Sequence, residues 1–527
     1  MPRIMSRHRP IVMALNGVVS SGHPLASAAG IRVMQEGGNA FDAIVAVAAV
    51  VAVTKPSMTG LGGHNLAIVW DAKRQELAAL DANGRAPSAA TLERYQDGIS
   101  AHGPLAASVP GTVAGWDALL SRYGTRRLAD LLQPAIGYAE QGFPVNDNLR
   151  REIAGMQDEL RRWPTSAAVL LPGGKVPDMT DVLRQPDLAR SLKLIAQHGP
   201  SVFYEGELAQ RIGEFMAANG GILAASDFSG FKARWGEPWR VRYRDVDFYG
   251  QPPPSQGFII GQELNIFEAY DPPSMTEADR IHVMVEAKKL GFADRGRYLC
   301  DPDFHTVPLD VLLSKEHAAR QRSRIGDRAA SQVEALDLAM AGGETTYMCA
   351  VDGQGNAVSF IQSLFHNFGS CVIAGDTGIL LSNRMCGFST DPSSPNVVEP
   401  GKRPSMTLNT CMMFRDGRPW VVFGTPGADA QVQSNFQHAV DFVDFGMDVQ
   451  TAVECPRYRH LPGNKLLLES RFAPETIEAL RARGHDVVVA GPWEKETGSC
   501  KAIMIDQRTG VLQGGADPRR EGYAVGF

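Results

Sequence analysis

The stretch that most restricts how this chain can fold runs from Thr345 to Leu364. Thr345 to Val351 is rich in β-branched and apolar residues, which predicts a strand. Asp352-Gly353-Gln354-Gly355-Asn356 is turn chemistry, and Ala357 to Leu364 predicts the returning strand. If Val351 faces Ala357, each step back along one strand is a step forward along the other, so Thr345 lies opposite Ser363. Two hydroxyls then meet where the first strand begins. Just upstream, Ala339 to Glu344 is mostly small residues, with Gly342 and Gly343 side by side. Such a loop is suited to being cut. A hydroxyl placed directly after it can attack the preceding peptide bond and then use the freed α-amine as its base.

The rest of the chain limits the setting of that hairpin. At 527 residues there is length for two or more domains, or for one large two-part fold. The formal net charge of −6 and the lack of a large basic block argue against a nucleic-acid partner. Seven widely spaced cysteines with no C-x-x-C pair suit reduced thiols better than a disulfide framework. The histidines contain no H-E-x-x-H, so neither a metal nor another cofactor is implied. Met1 to Pro10 is basic, but no apolar segment follows it as a secretory signal requires. The longest apolar run, Ala43 to Val53, is too short for a bilayer and predicts a buried helix. These features together predict a soluble, cytoplasmic protein without a membrane partner.

Taken in order, Gly17 to Ser21 predicts a strand. Pro24 opens a helix that Gly37-Gly38 ends, and Asn39 caps a second helix over Ala40 to Val53. Gly60-Leu61-Gly62-Gly63 is not a dinucleotide loop, because a helix precedes it and a strand follows; its glycines permit close backbone packing. From about 125 to 330 the pattern is mainly helical, broken by an alternating strand over Trp239 to Tyr249 and by Pro252-Pro253-Pro254-Ser255. Cys371 to Ala374 predicts a short strand. Thr407 to Phe414 and Arg418 to Phe423 predict a hairpin around Asp416-Gly417. Gly424-Thr425-Pro426-Gly427-Ala428 then turns from strand into helix, where unpaired N–H groups favour negative charge.

Several stretches resemble the γ-glutamyltranspeptidase family of N-terminal-nucleophile hydrolases. They are S-G-H-P-L-A-S-A-A-G (21–30), E-G-G-N-A-F-D-A (36–43), P-S-M-T-G-L-G-G (56–63) and V-P-G-T-V-A-G (109–115). T-T-Y-M-C-A-V-D (345–352), G-N-A-V-S (355–359), G-I-L-L-S-N (378–383), G-K-R-P (401–404) and G-T-P-G-A (424–428) follow in family order. The resemblance implies an α+β fold, a four-layer αββα sandwich, made as a precursor and cut between Glu344 and Thr345. A large subunit of residues 1–344 and a small subunit of residues 345–527 would result, with a pairing of two such heterodimers left open. By position Thr345 corresponds to the family nucleophile and Ser363 to a residue that hydrogen-bonds it. Gly427 and Ala428 fall on the oxyanion hole, where only backbone N–H groups are needed. Thr407 falls in the segment that helps hold substrate, with Met406 in place of a serine.

The departures from the family pattern bear on the substrate. Where the family has an arginine that grips the substrate α-carboxylate, this chain has Asn83, with Arg85 two residues on. An asparagine, a glutamine and an aspartate that hold the glutamyl amino group are replaced by Phe365, Arg384 and Gly387. Losing an aspartate and gaining a guanidinium disfavours a zwitterionic head group and favours a carboxylate. The alternative for Arg384 is that it points out to solvent or pairs with Asp391. A small anionic amide suits such a pocket, and oxamate is the smallest amide with a carboxylate beside its carbonyl. The N-G-R-A-P loop (83–87) is similar to the oxamate amidohydrolase branch, which implies release of oxalate and ammonia in purine-ring catabolism. Two alternatives keep the chemistry, a γ-glutamyl transferase or hydrolase and a glutaryl or cephalosporin acylase. Another, of a different class, is a non-catalytic binding protein on the same fold.

Overall fold

The structure is a computed structural model that describes residues 7–330 and 343–527; the first six residues and the loop expected over 339–342 lie outside the described residues. The strands Gly343–Asp352 and Ala357–His366 form the expected antiparallel hairpin, with Val351 facing Ala357. Their register is regular as far as Thr346 opposite Gln362. The next pair is Glu344 with Phe365, so the pairing shifts across Thr345. Phe365 has φ +91°, a conformation that a bulky residue adopts only when its surroundings enforce it.

The hairpin sits near the middle of a seven-stranded sheet. Gly17–Ser21 and Tyr523–Gly526 extend it on one side, and His64–Asp71, Glu76–Ala82 and Arg234–Gly236 on the other. A second seven-stranded sheet has the order Val12–Ala14, Leu512–Ala516, Lys501–Ile505, Arg418–Gly424, Cys411–Arg415, Val246–Gly250 and Trp239–Tyr243. Val18, Ile68, Tyr347, Val351, Met412, Val422 and Ile503 fill the space between the sheets. Helices cover both outer faces. On the first, Ala40–Thr54 is buried along its whole length, because the sheet packs on one side of it and helices such as Gln133–Gln141 on the other. Each large aliphatic side chain fully buried this way contributes about 1.5–3 kcal/mol. Phe258–Phe267 and Ala430–Val443 cover the second sheet. The result is a four-layer αββα sandwich of the α+β class, and both sheets interleave strands from before and after Glu344.

Three local expectations need correction. Trp239 to Tyr249 is a hairpin of two strands, Trp239–Tyr243 and Val246–Gly250, turning at Arg244 with φ +53°. That turn contains no glycine, proline or asparagine, and Asp245 alone is a weak turn signal. Thr407 to Phe414 shortens to a strand over Cys411–Arg415. The preceding segment follows Ser255 and Gln256, with Gln256 N donating to Met406 O at 2.8 Å. Cys371 to Ala374 makes only an isolated bridge, between Ile373 and Leu380. The glycines at 60–63 do permit close approach. A Cβ on Gly62 would run into the Leu380 carbonyl, and one on Gly63 would lie 2.6 Å from Ser363 O.

Candidate active site

The hairpin positions two hydroxyls and one peptide carbonyl together. Thr345 is 2% exposed and Ser363 fully buried. Thr345 Oγ1 donates to Ser363 Oγ at 3.1 Å, and Ser363 Oγ donates to the Glu344 carbonyl at 2.8 Å. Phe365 N completes the set by donating to Ser363 Oγ at 2.7 Å. The bulge matters here, since it brings the hydroxyl of Thr345 and the carbonyl just before it onto one serine. Gly17–Ser21 pairs only with the far half of this strand, Cys349 to Asp352. The beginning of the strand therefore has a single strand neighbour and is open to side chains from elsewhere. One of these is Arg520, whose Nη1 donates to the Glu344 carboxylate.

The strand Arg418–Gly424 brings a second group to the same end of the hairpin. Gly424 packs so closely on Tyr347 that an added Cβ would strike the ring. Beyond it Gly427 has φ +125° and Ala428 φ +49°, before the helix Ala430–Val443 begins. Neither Gly427 N nor Ala428 N donates to a protein acceptor among the described residues. Gln256 holds this turn in place, with Nε2 3.2 Å from Thr407 O and 3.3 Å from Ala428 O. Arg295 Nη1 donates to Gln256 Oε1 at 2.7 Å and also to Asp429. Sequence reasoning passed over Gln256 and Arg295. The Pro-rich stretch just before Gln256 was the only hint, and the contacts that matter are to residues 39 to 172 positions away.

Arg384 is a buried cation. It is fully buried, and none of its three guanidinium nitrogens has a hydrogen-bond partner among the described residues. Its Cζ lies 4.3 Å from the centroid of the Phe365 ring, which in turn stacks on His366 with centroids 4.3 Å apart. Burial draws its pKa down to about 9. The surface pairing with Asp391 does not occur: Asp391 is exposed and accepts from Ser393. Burial first, and Arg384 second, hold His64 well below the usual histidine pKa and His366 at about 4. Gly84 N donates to His64 Nδ1 at 2.8 Å, so the neutral ring carries its proton on Nε2, facing Ser382 Oγ at 3.0 Å and Ser108 Oγ at 3.1 Å.

The loop at 83–87 is zipped against 401–404. Ala86 N donates to Lys402 O at 2.8 Å, and Asn83 Nδ2 donates to Pro404 O at 3.0 Å. Asn83 is buried, with Oδ1 unpartnered. Arg85 is not brought in. Its side chain is exposed, and only its backbone carbonyl is engaged, by Val109 N at 3.0 Å. Asn83, Gly84, Ala86 and Pro87 are buried around it, and Arg85 alone of the five loop residues points outward. Thr407 is buried beside Gln256, and Gly387 packs against Ser405, whose Oγ donates to Gly387 O at 2.9 Å. Among the described residues one group has metal-ligand spacing, His282, Glu286 and His485. Its His282 and Glu286 stand on the helix Glu277–Tyr298, and its groups are already engaged, Glu286 with Lys289 at 2.7 Å and His282 with His485 at 2.9 Å. All seven cysteines are free, and no helix among the described residues is long and apolar enough to cross a membrane.

The sequence matches the model of the gamma-glutamyltranspeptidase family over residues 26–527. The chain belongs to that family. It is 40% identical over 530 residues to a glutathione hydrolase-like proenzyme of Bacillus subtilis, covering 98% of this chain and 99% of the relative. Against the oxamate amidohydrolase proenzyme of Klebsiella pneumoniae the identity is 36%, covering 98% and 99%. The crystal structure of a cephalosporin acylase from Bacillus halodurans superposes with a TM-score of 0.94 at 33% identity, covering 100% of this chain and 99% of that one. Full-length similarity to three differently named relatives establishes the fold and the family; the substrate has to be read from the pocket.

Proposed function

We propose that the chain cuts itself between Glu344 and Thr345 and that the processed protein hydrolyses a small, carboxylate-bearing amide. In processing, Thr345 Oγ adds to the Glu344 carbonyl carbon and the C–N bond breaks. An ester to Thr345 and a free α-amine result. Water then hydrolyses the ester, leaving residues 1–344 with a new carboxylate and residues 345–527 with Thr345 at the start. In turnover the α-amine takes the Oγ proton as Oγ attacks the substrate amide. The N–H groups of Gly427 and Ala428 hold the oxyanion, the amine returns the proton to the departing nitrogen, and water releases the acid.

The observation that carries this reading is the hydrogen-bond chain from Thr345 Oγ1 through Ser363 Oγ to the Glu344 carbonyl. The substrate class rests on Arg384, a buried guanidinium with no protein partner, since such a cation is stabilised by a carboxylate. Phe365 excludes water beside it, and Asn83 and Thr407 line the neighbouring loops. Oxamate, giving oxalate and ammonia, is the first substrate to test, with purine-ring catabolism and a cytoplasmic location as its setting. The acylase reading differs only in the length of the acyl group.

Expression followed by denaturing electrophoresis tests the chemistry. The 56.9 kDa chain should be replaced by two bands, the smaller beginning Thr-Thr-Tyr, and Thr345→Ala should leave it whole. An uncut wild-type chain would favour a binding protein instead. A panel of small carboxamides assayed for ammonia, against glutamyl anilides, tests the substrate.

A further inference from the structure

A cavity of about 610 Å³ lies between the helices Glu277–Tyr298, Ala430–Val443 and Pro474–Ala482. None of the residues assigned to the candidate active site lines it. The helix Ala430–Val443 starts just after the Gly427–Ala428 turn and carries Asp441 near its other end, roughly 16 Å further on. Small-molecule sites commonly enclose about 300–1,000 Å³ and combine apolar walls with a few polar groups. Here Met284, Val440, Met447 and Phe472 supply apolar wall, and five charged side chains also line the space.

Three of the five are satisfied by the protein. Asp444 accepts from the Tyr243 hydroxyl at 2.6 Å and from Arg244 Nε at 3.0 Å. Glu277 accepts from Thr476 Oγ1 at 2.9 Å. Arg471 donates to the Glu469 carboxylate and to the carbonyls of Glu454, Cys455 and Pro492. The other two, Arg280 and Asp441, are not satisfied. Among the described residues Arg280 has only looser contacts, with Glu277 Oε1 at 3.8 Å and the Phe445 ring at 4.8 Å. Asp441 has His438 Nδ1 at 4.0 Å. Arg457 Nη1 donates to His438 Nε2 at 3.2 Å, so the neutral ring carries its proton on Nδ1, facing Asp441 from too far to bond. Burial pushes the Asp441 carboxyl up to about 7, against the pull of Arg280 and Arg457. No ion pair joins Arg280 to Asp441, and their side chains are 23% and 20% exposed, so both reach the cavity with little water around them.

We propose that this cavity is a second ligand site, which binds an α-amino acid with an apolar side chain. Its ammonium is held by Asp441, its carboxylate by Arg280, and its side chain by Met284, Met447 and Phe472. The charges select this class. A simple amine meets repulsion from Arg280, a simple acid meets repulsion from Asp441, and an uncharged apolar molecule leaves both without a partner. A zwitterion satisfies the two together, and guanidinium pairs with carboxylate through two hydrogen bonds. The site does not depend on Thr345 or on the chain being cut.

Calorimetric titration of the full-length Thr345→Ala chain with L-leucine tests this without any turnover, and one site per chain is expected. Isopentylamine is leucine without its carboxylate, and 4-methylpentanoate is leucine without its ammonium. Each should bind about tenfold or more weakly than leucine, because one charge-assisted contact is lost. Asp441→Asn and Arg280→Gln should each weaken leucine binding by a similar factor, whereas Arg384→Met should leave it unchanged. Melting temperatures without ligand show whether each variant is folded. Should a charge variant fail to fold, Met284→Trp, which fills the cavity and keeps both charges, should abolish binding in its place. No leucine binding, equal binding of either single-charge analogue, or binding that Arg384→Met removes and Asp441→Asn spares would overturn the assignment.

Discussion

Arg384→Met should make the protein more stable and a poorer enzyme at once. In the folded chain burial pulls the guanidinium pKa from 12.5 to about 9, which corresponds to a cost on the order of 5 kcal/mol for keeping the charge. The sign follows from proton binding. Between pH 9 and 12.5 the unfolded chain holds a proton that the folded one has released, so the penalty is fully present below pH 9, at neutral pH included, and is relieved as pH rises through that window. Against it stands the contact with the Phe365 ring, worth about 2 kcal/mol when desolvated. Methionine keeps the apolar length and removes the charge, so a net gain of about 3 kcal/mol is expected. Stability should be compared by urea unfolding on the uncut Thr345→Ala background, where processing cannot confuse the comparison. In the processed enzyme, loss of a buried carboxylate partner costs about 3–5 kcal/mol, which raises KM for anionic amides by roughly 10²-fold or more. A variant that is less stable, with unchanged KM, would mean that the guanidinium is satisfied by something else and does not face the substrate.

Two further outcomes follow from neighbouring groups. Gln256→Leu breaks the links to Thr407 O, Ala428 O and Arg295; leaving such buried groups unsatisfied costs about 1–3 kcal/mol each. A fall of about 10–100-fold in kcat is expected for the processed variant, and wild-type kcat would show that the turn holds itself. On acidification, His23 and His366 stay neutral down to about pH 4, mainly through burial, with Lys55 acting on the first and Arg384 on the second. An unfolded histidine takes up its proton below about 6.5, so stability is complete above that pH and declines toward pH 4, by on the order of 3 kcal/mol for the deeply buried His23. Urea midpoints at pH 7.5, 6 and 5 should fall in that order; a flat series would contradict the burial argument.

Local chemistry determined much of this protein without reference to its fold. The β-branched and apolar residues and the turn chemistry at 345–364 placed the hairpin and its register as far as Thr346 opposite Gln362. The apolar run after Asn39 required a helix covered on every side, which only a layered architecture provides. Phe365 and Arg384, set against the family pattern, raised the expectation of an anion-accepting pocket. Tertiary structure alone decided which arginines are buried and what each of them touches. Nothing in the sequence distinguishes Arg85, exposed on its loop, from Arg384, sealed against Phe365, or from Arg520, paired with Glu344. The reason is physical: strand and helix patterns follow from interactions a few residues long, whereas the burial and partner of a long cationic side chain depend on packing between segments far apart in the chain. The shift in pairing across Thr345 and the Gln256 tether to Ala428 arise in the same way, where the two sheets meet.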